Sequence, residues 1–141
     1  MVDREILPAF VEHLKIALKE YYPNGTKSSP DYGRIINRVH LQRIKKMLDN
    51  TTGQILIGGE VDEKDSFIDV TIVQVDDINK SMIVDKSFGP LIPILPIDSL
   101  EEAVRIVNSI HRTPLAFYPF GNKTETNKCR WSIPNSTQFY L

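Results

Sequence analysis

Cysteine is almost absent: Cys129 is the single thiol in 141 residues. An internal disulfide is therefore excluded. The chain suits a reducing compartment, and a cytoplasmic location is expected. An excess of charge of one sign is also missing, with 17 Lys and Arg against 18 Asp and Glu and a net charge of −1. No global field draws the chain to nucleic acid or an anionic membrane, and neither partner is expected. No window approaches the roughly 20 apolar residues that cross a bilayer. The charged start Met1-Val2-Asp3-Arg4-Glu5 has no apolar leader core. Glycine is scarce, 7 in all, and never spaced as a phosphate-cradling loop. Gly58-Gly59 reads as a strand-end turn. His13, His40 and His111 are scattered over three helical segments, so no metal centre is expected.

What is present fits one α/β domain. Apolar residues recur at helical spacing from Ile6 to Tyr21, with Pro8 tolerated in the first turn. Pro23-Asn24-Gly25 stops that helix. Ser29-Pro30-Asp31 resembles a second helix start, and Ile35, Ile36, Val39, Ile44, Met47 and Leu48 would share its buried face. Gln54 to Ile57, Phe67 to Val75 and Leu91 to Ile97 read as strands. The prolines Pro93 and Pro96 argue for an edge or an irregular ladder in the last of these. Ser99-Leu100-Glu101-Glu102 is a capping box that opens a further helix. Leu115 to Phe120 is a fourth strand, reached by a right-handed crossover from Leu91. After Asn127 neither period persists, and Lys128 to Leu141 reads as an irregular tail.

Two bland readings go with these features. Arg34, Arg38, Arg43, Lys45 and Lys46 form a solvated basic helix face rather than a nucleic-acid surface, since no aromatic interleaving accompanies them. Cys129, despite its neighbours Lys128 and Arg130, is an incidental free thiol.

Several blocks in order carry a resemblance over residues 2–128. They are Ser29-Pro30-Asp31-Tyr32-Gly33-Arg34-Ile35-Ile36-Asn37 with His40, Gln42 and Arg43; Ile57-Gly58-Gly59-Glu60 with Asp62-Glu63; Phe88-Gly89-Pro90 with Pro93-Ile94; and Ser99 to Asn108 followed by Pro114-Leu115-Ala116. In these the chain resembles the catalytic domain of the aldehyde dehydrogenase family, in its class 3, fatty aldehyde branch. The resemblance implies a partial α/β catalytic domain at 1–127, with a small, mostly parallel sheet and flanking helices, and a tail at 128–141 unlike the family. It implies NAD or NADP as cofactor and an oxidation of aldehydes to carboxylic acids. It also implies that the nucleophile, the base and the Gly-rich cofactor turn belong upstream, Met1 being an internal methionine of a longer ancestral frame.

In the family's Glu-x-Phe-Gly-Pro, the glutamate bonds the nicotinamide ribose and the phenylalanine packs near the nicotinamide. By this resemblance Phe88 is the one cofactor-binding residue, and Lys86 stands where the glutamate belongs. A donor has replaced an acceptor. No catalytic residue is expected, the chain alone is expected to be silent, and cofactor binding by it is not expected. A second departure is Asp69-Val70 before Thr71, where the family has an apolar residue and a proline. The alternative reading is a non-catalytic module, a homo-oligomer or a partner of a full-length relative, with Leu115 to Phe120 near the assembly region.

Overall fold

The computed structural model describes residues 1–78, 81–110 and 118–132. In chain order the elements are β1 (Val2–Asp3), α1 (Leu7–Tyr21), α2 (Arg38–Asp49), β2 (Gln54–Ile57), β3 (Val61–Asp62), β4 (Phe67–Ile68), β5 (Thr71–Gln74), α3 (Ser81–Val84), β6 (Leu91–Ile94), β7 (Pro96–Ile97), α4 (Leu100–Ile110) and α5 (Lys123–Ser132). The chain divides into two compact units, one of Val2–Pro96 and one from Ile97 onward with Met1.

The larger unit is built on a three-stranded sheet in the order β2-β5-β6. The α/β expectation holds, but the sheet is mixed. β5 pairs parallel with β6, Thr71 opposite Leu91, and antiparallel with β2, Gln54 opposite Gln74. α1 covers this sheet because its apolar residues repeat every three or four positions. Leu7 and Val11 pack with Ile72 and Ile94. α2 supplies Leu41 and Ile44, both fully buried, with Met47 and Leu48 beside them. Deleting side-chain atoms at such sites leaves a cavity as well as losing transfer energy.

The Gly58-Gly59 turn fixes how β2 approaches β5. Gly58 has φ +76 and Gly59 has φ +98, values that L side chains adopt only with strain. A Cβ on Gly58 would collide with the Val70 carbonyl. This close approach lets the Gly59 N–H donate to Thr71 Oγ1 at 3.0 Å, while Thr71 Oγ1 donates to the Asp69 carbonyl at 2.9 Å. The buried Thr71 hydroxyl is thus satisfied on both sides.

The second helix starts later than Ser29. Asn37 is its cap, with Oδ1 accepting from the His40 N–H at 2.9 Å. Residues 26–36 are held instead by long-range contacts that outweigh local propensity. Tyr32 packs edge-on to Tyr22, with centroids 5.6 Å apart, and tilted on Phe67 at 5.8 Å. Its hydroxyl donates to the Ile68 carbonyl at 2.8 Å, and the Ile35 N–H donates to the Ser66 carbonyl at 2.9 Å. Ile36 and Val39 consequently lie in solvent, 87% and 77% exposed, instead of on the buried face. Asp69, between β4 and β5, is tied to the loop after α1: Thr26 Oγ1 donates to Asp69 Oδ1 at 2.5 Å.

Burial, then Asp69 and Tyr22, push the Tyr32 phenol up to about 12, with Arg34 opposing. An acid whose folded pKa is raised keeps its stabilising effect below the ordinary tyrosine value of about 10. That effect is lost as pH rises from there through about 12. The urea midpoint is therefore expected to fall over that window, and Tyr32→Phe should remove that part of the slope. A wild-type midpoint that stays flat across the window would contradict the assignment.

The smaller unit contains α4 and α5. The capping box at α4 is present: the Glu102 N–H donates to Ser99 Oγ at 3.2 Å, and Glu102 Oε2 accepts from the Asp98 N–H at 2.8 Å. The irregular tail expected at 128–141 is corrected over its first residues, since α5 runs through Lys128 and Cys129 to Ser132; residues 133–141 lie outside the described residues. A second cap starts it. Asn122 Oδ1 accepts from the N–H groups of Thr124 and Glu125, both at 3.0 Å, and Glu125 Oε2 accepts from the Asn122 N–H at 2.9 Å. Lys128 bonds Glu101 and holds its carboxyl below the usual range. The expected fourth strand lies largely outside the described residues, as does His111, and Tyr118 to Phe120 are not in a strand. Among the described residues no helix is long and apolar enough to cross a membrane.

Candidate functional site

The site forms where α2 meets the segment that leads into β6. Arg43 is one helical position before the buried Ile44, so its guanidinium leaves the core edge and reaches two consecutive carbonyls. Nη1 donates to Lys86 O at 3.3 Å and Nη2 donates to Ser87 O. Gly89 then passes so close to α2 that a Cβ there would lie 2.5 Å from Ile44 Cδ1. Pro90 O accepts from the Thr71 N–H at 2.8 Å, which feeds the chain into the parallel β5–β6 ladder.

Between these anchors Phe88 adopts φ +47 and is 80% exposed. Its ring faces a cleft of about 510 Å³ lined by Arg34, Ile35, Ile36, His40 and Phe88. Phe88 and Lys86 share the same loop. Lys86 is exposed, its side chain can only donate, and its carbonyl is engaged by Arg43.

A charged belt supports one wall of the cleft. Arg34 lies 5.0 Å above the Phe67 ring and pairs with Asp65 at 2.8 Å. Its Nη2 also donates to Lys27 O at 2.8 Å. Lys27 lies 5.6 Å from the same ring and pairs with Glu60 at 2.7 Å and Asp62 at 3.0 Å. Hydrogen bonds donated to Glu60 and Asp62 raise the Lys27 ammonium above its ordinary value, and Lys27 in turn holds Asp62 below its own. The basic residues around α2 are thus partly internal ties: Lys45 pairs with Asp49 at 2.6 Å, and Arg34 and Arg43 are occupied as above. Sequence reading placed Arg43 on a solvated face and missed its role. Its neighbour Ile44 at the core is the only local hint.

Cys129 is 7% exposed in α5 and is not among the cleft residues. Burial, with Glu125 second, raises its thiol above the ordinary value, against the opposing charge of Lys128. Flanking cations do not make it a thiolate. Among the described residues no group of His, Cys, Asp and Glu could hold a metal ion.

The sequence profile of the aldehyde dehydrogenase family matches residues 1–124. The chain belongs to the aldehyde dehydrogenase family. It is 50% identical over 128 residues to a beta-apo-4'-carotenal oxygenase of Neurospora crassa, covering 91% of this chain and 24% of that one. It is 38% identical over 128 residues to the dimeric NADP-preferring aldehyde dehydrogenase of Rattus norvegicus, covering 91% of this chain and 28% of the other. A substrate-bound AldH of Staphylococcus aureus superimposes with a TM-score of 0.86 at 29% identity, over 92% of this chain and 28% of that one. The chain therefore spans about a quarter of the length of the curated relatives it matches.

Proposed function

We propose that this chain contributes the nicotinamide-side wall of an NAD(P)-dependent aldehyde oxidoreductase and is catalytically silent by itself. The observation that carries silence is Cys129. A cysteine nucleophile must reach substrate as a thiolate beside a base. Here the single thiol is 7% exposed and its acidity is lowered. The residues present fit one half of a nicotinamide riboside. Phe88 offers an open aromatic face, but Lys86 offers no acceptor to a ribose hydroxyl. Residues 1–127 are proposed as the part belonging to the family's catalytic domain.

The substrate class we favour is a long apolar aldehyde, in keeping with the fatty aldehyde branch and with the carotenal named for the Neurospora relative. The purified chain, given NAD+ or NADP+ and a long-chain aldehyde, is expected to produce no reduced nicotinamide above a blank. Measurable turnover, read by absorbance, would overturn silence.

A second reading, a module that pairs with a full-length relative or with itself, draws on Phe120 and Tyr118, 95% and 56% exposed. Co-purification with a full-length aldehyde dehydrogenase supports it. A chain that elutes alone argues against it.

A further inference from the structure

Phe88 is a non-glycine residue at φ +47, and neighbouring Gly89 is at ordinary φ. A bulky residue there carries backbone strain and persists only when its surroundings over-determine it. The surroundings are on α2. Arg43 holds the two carbonyls before Phe88, and Ile44 presses against Gly89 just after it. Ser87 Oγ donates to Gly89 O at 3.3 Å and closes the corner on itself. The ring at the centre of these ties makes no use of them, being 80% exposed.

The geometry points to Arg43 as a positioning residue whose guanidinium, acting through the Lys86 and Ser87 carbonyls, holds Phe88 in its left-handed conformation and aims the ring into the cleft. Two parallel donors matter here. A guanidinium can satisfy both carbonyls at once in a fixed plane, whereas a lysine ammonium is a point donor that reaches one at a time. The role rests on the reading of Phe88 as the cofactor-side wall only for its purpose. The positioning itself needs no ligand.

The test uses the full chain with 4-fluorophenylalanine at position 88 and its fluorine resonance as readout. In the folded Arg43→Ala chain, the resonance is expected to shift toward its position in the urea-unfolded chain. Arg43→Lys is expected to recover part of the shift. A purely structural role for Arg43 would lower the unfolding midpoint and leave the folded-state resonance in place, and that result overturns the inference. Should Arg43→Ala fail to fold, Arg43→Lys and Arg43→Gln carry the test: a graded shift supports the inference, and two unshifted resonances overturn it. Because no dinucleotide is present, the cofactor reading can fail separately, by NAD+ or NADP+ leaving the wild-type resonance unmoved in a complex with a full-length relative.

Discussion

Gly58→Ala is expected to destabilise the chain by roughly 3 kcal/mol or more, moving the urea midpoint down by about 1 M or more. Two costs combine. An alanine at φ +76 enters a region that L residues avoid, and its Cβ would collide with the Val70 backbone carbonyl, which has no rotamer by which to retreat. The displacement would also pull the Gly59 N–H from Thr71 Oγ1 and leave a fully buried hydroxyl short of a partner. Two controls separate these costs. Gly25 has φ +83 but open space around its missing Cβ, so Gly25→Ala should lose only about 1 kcal/mol. Gly33 has open space and no positive φ, so Gly33→Ala should be near neutral. Equal midpoints for the Gly58 and Gly25 variants would show that the carbonyl contact is unimportant.

Phe67→Ala should cost about 3–5 kcal/mol, the usual range for removing a buried aromatic side chain. Phe67 is 1% exposed and carries more than packing. Its ring is the platform for Arg34, Lys27 and Tyr32, so its loss also releases residues 26–36, of which Arg34, Ile35 and Ile36 line the cleft. Limited trypsin digestion is expected to cut after Lys27 or Arg34 in the variant sooner than in the wild type, under conditions where both are folded. Phe67→Leu keeps most of the apolar volume but not the ring's attraction for cations, and should lose about 1.5 kcal/mol less than the alanine variant. If the leucine variant is as readily cut as the alanine variant while remaining more stable, the ring and not the volume holds the loop. If neither is cut faster than wild type, the platform role is wrong.

Local rules were enough where the relevant contacts are local. The apolar repeat from Leu7 to Leu18, the Ser99 to Glu102 capping box and the Gly58-Gly59 turn all appear where the sequence places them, because each is decided within a few residues. The helix start expected at Ser29-Pro30-Asp31 is displaced to Asn37 because Tyr22, Phe67, Ser66 and Ile68 hold the segment around Tyr32 and Ile35, and all but Tyr22 are distant in the chain. The same error put Ile36 and Val39 in the core and overlooked Leu41. α5 was legible in principle. Asn122 to Glu125 repeats the cap-and-reach-back arrangement recognised at Ser99, but the low apolar content of the helix hid it. In the candidate site the Phe88 corner was visible as a motif. Arg43 was not, since nothing in its own neighbourhood says that its reach ends on Lys86 and Ser87.

The packing of α1 has a kinetic corollary. Leu7 and Val11 rest on Ile72 and Ile94, so the first helix of the chain completes a layer whose other members are made much later in the sequence. Closing so wide a loop loses chain entropy before any contact repays it. Within this chain the stripe of α1 therefore has its full set of partners only when β5 and β6 are both present, and a polypeptide cut short of β6 would lack Ile94 beneath Leu7 and Val11.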